Sequence, residues 1–224
     1  KPLLQFTSLS RKNLMAFTGL FLCFFLVIHL MGNLQLLLPE SQARESFNSY
    51  SSMLSGFTFI KIISYLLYIT ILLHILDSVI VTLRNRKTSG KYEYDKRNPA
   101  SKWYSRNMGI LGFLTLIFLV IHFKDFWYEY KFGPVPLDIN GNKDLYAVVM
   151  NAFSSWWYVL VYVVSMLAIG YHLLHGFFSA SRTIGLHHPV YARFLKIFGS
   201  IYSYVITIGF AFIPLYIYLT RFMK

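Results

Sequence analysis

The sequence predicts an all-α membrane protein of five transmembrane helices. Four of them form a bundle, the fifth is peripheral, and the N-terminus is cytoplasmic. Three observations predict it. Of 224 residues, 56% are hydrophobic and 13% charged, where a soluble domain averages about 25% charged. Five apolar stretches reach the roughly 20 residues that a spanning helix needs. Lys and Arg gather in alternate connections between those stretches instead of spreading evenly. A mean hydropathy of +0.50 agrees with this reading.

The first span is expected near 14–38. It is too long for a signal peptide and lacks a small-residue cleavage site, so it reads as a permanent span. The second is expected near 59–83 and the third near 107–128, joined by the polar segment Arg84–Arg106 with Asn98-Pro99 inside it. The segment Lys131–Asp144 holds Gly133-Pro134, Pro136 and Asn140-Gly141, which are turn signals. The fourth span is expected near 153–180, extending beyond the bilayer, and the fifth near 198–220, so residues 1–224 form one transmembrane domain. Trp127, Trp156 and Trp157 flank the Lys131–Asp144 segment as an aromatic belt would.

Orientation follows from the basic residues. Lys1, Arg11 and Lys12, eight more from Arg84 to Arg106, and Arg182, Arg193 and Lys196 share one side, which makes 14 of the 21. The positive-inside rule places that side, and the N-terminus, in the cytoplasm. The same clustering explains the formal charge of +12 without nucleic acid, because the charges sit where anionic lipid headgroups lie. Cys23 is the single cysteine. It excludes an internal disulfide, a cysteine-ligated iron–sulfur cluster and covalent haem attachment through CxxCH.

Four of the five spans carry a histidine about two-thirds of the way along: His29, His74, His122 and His172. Imidazole within hydrocarbon is costly and usually functional. Successive spans run in opposite directions, so His29 and His122 fall at one depth and His74 and His172 at another. The rise of 1.5 Å per residue separates the layers by roughly 10–15 Å. Two pairs at two depths suit two non-covalent b-type haems, each with two imidazoles on its iron. His29 and His122 would ligate the outer haem, His74 and His172 the inner one.

Both His29 and His122 end a Phe-Leu-Val-Ile-His segment, at Phe25–His29 and Phe118–His122. Gly19 and Gly112 each precede their histidine by ten residues, near the depth of the other layer, where a glycine would let a porphyrin edge approach the backbone. His175 shares a helical face with His172 and remains an alternative ligand. Gly176 at i+4 favours His172, leaving His175 for a propionate, a quinone or solvent. His187 and His188 read as solvated loop residues beside Pro189. Zinc is disfavoured because cysteine and carboxylate partners are missing at these depths. A proton relay is disfavoured because Asp77 is counted as the one acid within the spans.

The histidine order over five spans, Ser10-Arg11-Lys12 before span one, the two repeated segments, His172 with Gly176, and the basic loop together resemble a known family. It is the cytochrome b subunit of succinate dehydrogenases and fumarate reductases, of the single-chain, two-haem b558 type. The resemblance covers nearly the whole chain. It implies a membrane anchor in a bacterial cytoplasmic membrane, bound to a flavoprotein and an iron–sulfur subunit. Electrons would pass between that iron–sulfur subunit and a quinone, implied to be menaquinone. Dicarboxylate chemistry would belong to the partners, since no dinucleotide fingerprint or cysteine cluster exists here. The fumarate-reductase branch has a glutamate two residues before the fourth-span ligand; Gly170 stands there, which favours succinate oxidation.

Asn33, Gln35 and Glu45 are polar candidates for a quinone site near the outer layer. Arg84, Arg106 and Arg182 are candidates for haem propionates or for anchoring the iron–sulfur partner. Asp77, one turn past His74, is a candidate for tuning the inner haem or for closing a polar network. Rival expectations are a quinol:fumarate reductase cytochrome b, the gamma subunit of a nitrate reductase and, from another class, a proton-coupled transporter with a histidine relay.

Overall fold

A computed structural model describes residues 8–89, 102–186 and 188–223. Lys1, Lys91, Lys96, Arg97, Asn98-Pro99 and His187, which entered the sequence reading, lie outside the described residues.

The chain begins with α1 (Ser8–Asn33), which tightens into a 3₁₀ turn at Leu34–Leu37 before Pro39. Then come α2 (Glu40–Gly56), α3 (Thr58–Ser89), the one-turn α4 (Trp103–Arg106) and α5 (Met108–His122). α5 continues without a break through a π-helical segment, Phe123–Tyr128, into α6 (Glu129–Phe132). The order closes with α7 (Leu145–Ala152), α8 (Trp156–Thr183) and α9 (Pro189–Ile217), whose last turn, Tyr218–Phe222, is also π-helical. Five of these helical runs are long and apolar enough to cross a membrane, which makes this a multi-pass architecture.

Several span boundaries differ from the sequence expectation, the first span beginning at Ser10 instead of 14. The third continues to Phe132 instead of 128, because the π-helical segment carries the helix past His122. The fourth begins at Trp156 instead of 153, because α7 is a separate short helix whose C-terminal turn uses Phe153. The fifth begins at Pro189, nine residues early. Pro189 takes the first helical position, where its missing N–H costs nothing, and His188 accepts from the Val190 N–H at 3.4 Å. His188 is thus a helix cap and not a plain loop residue.

One end of the bundle, here proximal, gathers the starts of α1, α5 and α9 with the ends of α3 and α8. There Arg11 on α1 meets Asp77 on α3 at 3.0 Å. At the distal end, Arg221 after α9 meets Glu40 at the start of α2, also at 3.0 Å. α1, α3, α5 and α8 form a ring, and α9 lies outside it against α8 and α1. α8 is the most enclosed: Val159, Tyr162, Met166, Gly170 and Leu173 are buried at three- and four-residue steps, the stripe of an inward-facing helix. Gly170 lets α8 and α9 approach closely, since a Cβ there would stand 2.5 Å from Thr207 Oγ1.

α2 and α7 cap the distal end. Ala43 and Phe47 of α2, at i and i+4, bury against Tyr146 and Val149 of α7 in the cluster that also holds Leu36 and Ile217. A buried polar clamp fixes this cap. The two Asn48 amide protons go to Asp138 Oδ2 at 3.0 Å and Asp144 Oδ1 at 2.9 Å, and its carbonyl oxygen accepts from the Tyr146 N–H at 2.9 Å. Asp144 also caps α7 through the Ala147 N–H and accepts from Arg44. Burial alone would push the Asp144 carboxyl up. Arg44, Asn48 and Ala147 outweigh it and hold the group below the usual carboxylate range.

Candidate functional site

The four span histidines meet in two pairs. His29 on α1 faces His122 on α5 with ring centroids 5.7 Å apart. His74 on α3 faces His172 on α8 at 6.4 Å. An iron held by two opposed imidazoles, with metal–nitrogen bonds of about 2 Å, puts the ring centroids about 6 Å apart. At this spacing either pair could hold one iron between its two imidazoles.

The depth difference is written along α1 and α5. A Cβ at Gly19 would lie 3.4 Å from His74 Cε1, while His29, ten residues further on the same helix, faces His122. On α5, a Cβ at Gly112 would lie 3.8 Å from His172 Cε1, while His122 faces His29. Ten residues of α-helix span about 15 Å. Two helices thus measure the same separation, with His74–His172 proximal and His29–His122 distal.

Local sequence sets the imidazole orientations. In both Phe-Leu-Val-Ile-His segments the phenylalanine stacks on the histidine one turn later: Phe25 on His29 at 5.2 Å and 16°, Phe118 on His122 at 5.6 Å and 25°. The i, i+4 relation makes such stacking geometrically cheap. Phe210 of α9 covers His29 at 5.4 Å, and Phe126 of the π-helical segment covers His122 at 5.3 Å.

In the proximal pair, Thr18 on α1 holds His74. Its hydroxyl donates to the Leu14 carbonyl oxygen at 2.7 Å, and its oxygen lies 3.0 Å from His74 Nδ1. Thr18 has one proton to give. The His74 Nδ1–H must then be the donor of the second bond, which leaves Nε2 with a free lone pair. Fixing a ligand's tautomer through its other nitrogen is how metal-binding histidines are oriented.

The residues fit a bis-imidazole metal centre in three respects. The opposed rings have the right spacing, the two glycines keep Cβ atoms away from the proximal pair, and each pair contains a buried nitrogen without a protein partner. Those nitrogens are His122 Nδ1 and His172 Nδ1. A buried polar atom left unsatisfied is costly, so it asks for a partner. No cluster of three or more His, Cys, Asp or Glu suited to a metal ion occurs among the described residues. Two imidazoles per centre is the haem pattern, in which the porphyrin supplies the remaining ligands.

The structure separates His175 from His172. His172 faces His74, whereas His175 Nδ1 lies 2.7 Å from Ser105 Oγ, beside α4. Gly176 has nothing within 4 Å of a Cβ position, so it makes no close contact with protein. Asp77 is 3% exposed and paired with Arg11, a network that ties α1 to α3 one turn from His74.

The other candidates are more scattered. Asn33 donates to the His29 carbonyl oxygen at 2.8 Å and lies 3.5 Å from His29 Nδ1. Gln35 sits in the 3₁₀ turn, half-buried, and Glu45 is exposed on α2. Arg84, Arg106 and Arg182 are exposed at the proximal end, with the Arg182 guanidinium 5.8 Å over the Phe178 ring.

Sequence reading missed Thr18, Ser105, Arg11 as the partner of Asp77, and two further acids within the spans. Asp125, in the π-helical segment of span three, and Glu129, in its last turn, correct the count that gave Asp77 alone. Asp125 accepts from Tyr158 of α8, whose oxygen lies 3.4 Å from Tyr162. The only signal in the sequence was an acid three residues beyond His122. Comparison finds no matching protein-family model, no matching characterised protein and no matching solved structure.

Proposed function

We propose that this chain is a di-haem b cytochrome: the membrane-anchor subunit of a succinate:quinone oxidoreductase, carrying electrons between an iron–sulfur partner and a membrane quinone. The observation that carries the reading is the pair of opposed imidazoles at each of two depths, 5.7 and 6.4 Å apart. Bound between such rings, a b-type haem supplies reversible one-electron transfer. The chain's own part is to hold, orient and insulate. His74 and His172 grip the proximal centre and His29 and His122 the distal one. Thr18 sets the His74 tautomer, while Phe25, Phe118, Phe126 and Phe210 wall the distal pair against water.

In this reading the proximal end is cytoplasmic, in a bacterial inner membrane, and receives the flavoprotein and iron–sulfur subunits. Exposed Arg84, Arg106 and Arg182 lie at that end. The quinone, menaquinone by resemblance, reacts at the distal end. Succinate oxidation is favoured over fumarate reduction by Gly170, whose Cβ direction is filled by Thr207 and has no space for a glutamate. The dicarboxylate chemistry belongs to the partner subunits.

An absorbance spectrum of the purified, dithionite-reduced protein tests the reading. Two b-type components support it, and a colourless preparation from haem-replete cells overturns it in favour of the histidine-relay transporter. Co-purification of a flavoprotein, as opposed to a molybdenum protein, separates this reading from the nitrate-reductase gamma subunit.

A further inference from the structure

We propose that one flank of α9 is a binding site for an anionic phospholipid, with Arg193 and Lys196 holding the phosphate and Ile197, Ile201 and Tyr204 lying along an acyl chain. The site is remote from the four span histidines, and the inference does not depend on what they bind.

Arg193, Lys196, Ile197, Ser200, Ile201 and Tyr204 line a groove of about 580 Å³, the room of roughly twenty waters. All six belong to α9 and follow one another at three- and four-residue steps, so they share one face. It is not the packing face, whose buried stripe runs through Gly199, Ser203 and Ile206. Ser200 is half-buried and the other five are exposed.

The charge in the groove has no counterpart in the protein. α9 contains no Asp or Glu, and neither Arg193 nor Lys196 forms an ion pair among the described residues. Standing three residues apart, a planar guanidinium fork and a compact ammonium are neighbours that suit a phosphodiester. Ser200 gives its proton to the Lys196 carbonyl oxygen at 2.8 Å. Its own oxygen is left to accept from the Lys196 ammonium or from a headgroup hydroxyl.

Depth decides the occupant. The fifth span holds 34 residues, about 51 Å of helix, against a hydrocarbon core of about 30 Å. The excess puts the first turns of α9 in the headgroup layer, where Arg193 and Lys196 lie about 6 and 10 Å from the helix start. From Arg193 to Tyr204 the groove runs about 16 Å toward the middle of the membrane, and it turns from cationic to apolar on the way. A free phosphate ion has no use for that apolar floor. A soluble partner at the proximal face would reach only the rim. A second copy, related by a two-fold axis along the membrane normal, would set the same cations against each other at the same height, which is repulsive. An anionic lipid meets both halves of the groove.

The test uses native mass spectrometry of the full chain in detergent, with dioleoyl phosphatidylglycerol as the probe. Arg193→Gln/Lys196→Gln should weaken binding of the first lipid about 30-fold, the scale of two lost headgroup contacts. Dioleoyl phosphatidylcholine should bind both proteins alike. Lys12→Gln/Lys102→Gln removes as much charge from the same end and should keep the native affinity for phosphatidylglycerol. An equal loss in that control overturns the site in favour of diffuse attraction, and native affinity in the groove variant overturns it outright. Glycerol 3-phosphate, a headgroup without chains, should not displace the lipid; displacement at equal concentration would reduce the groove to a free-anion site. A dimer that the groove substitutions dissociate would give the face to a second copy. Should the double variant fail to accumulate, Lys196→Gln alone decides, with an expected loss of about five-fold. Mass separates bound lipid from bound haem, so failure of this inference and failure of the function proposed above are distinguishable.

Discussion

Thr18 Oγ1 stands 3.0 Å from His74 Nδ1 while its proton is committed to the Leu14 carbonyl, so one hydroxyl on α1 dictates the protonation of an imidazole on α3. Thr18→Val keeps the shape and removes the acceptor. Loss of such an orienting partner typically costs 10–100-fold in metal affinity. Haem titration of the apoprotein should show that loss at one of two sites, with Thr18→Ser restoring it. Equal affinity at both sites in Thr18→Val would remove Thr18 from the argument.

The face-to-face pairs make a mutational grid. His29→Ala and His122→Ala should abolish the same spectral component, and His74→Ala and His172→Ala the other. His175→Ala should keep both components, because His175 is engaged with Ser105 and not with His74. Reduced-minus-oxidised spectra decide; a haem lost in His175→Ala but kept in His172→Ala would reverse the assignment in span four.

Gly19 and Gly112 border the proximal pair from two sides. Enlarging either side chain should therefore exclude the haem of His74 and His172 and spare that of His29 and His122. Gly19→Leu and Gly112→Leu should each bind about one haem per chain by pyridine haemochrome assay, whereas Gly176→Ala, which meets no protein atom within 4 Å, should bind two. Retention of both haems in Gly19→Leu would contradict the proposed cradle.

The distal cap offers a stability test independent of any cofactor. Asn48→Ala removes three hydrogen bonds, two of them buried and two of them to carboxylates, and should cost about 3 kcal/mol in a reversible denaturant titration. A loss under about 0.5 kcal/mol, the effect of an ordinary surface change, would mean that the clamp does not hold the cap.

The same clamp predicts a pH dependence. Asp144 is depressed in the folded state, against about 3.9 when unfolded. Its contribution is complete above the unfolded value and disappears as pH falls through the lower folded value. Melting temperature should fall on acidification below about pH 4, and less steeply in Arg44→Gln, where the depression is reduced. Parallel curves for the two proteins would count against the pairing.

The sequence alone determined the five long apolar helices and the presence of one histidine at a repeated position in four of them. Both are legible because a spanning helix is a local object: its backbone bonds close within the segment, and its length is dictated by the bilayer. Alternating direction then sorted the histidines by depth without knowledge of any contact.

What the sequence could not reveal depends on rotation and contact between helices. Choosing between His172 and His175 needs the rotation of α8 about its axis, which the packing of α1, α5 and α9 decides. Thr18, Arg11, Tyr158 and Asp125 look like scattered polar residues until partners 33 to 66 positions away are brought to them. α2 escaped notice because only Ala43, Phe47 and Asn48 are buried along it, too short a stripe to read as a periodicity. Helix identity is written locally; which face meets which is settled only when side chains far apart in the chain compete for the same space.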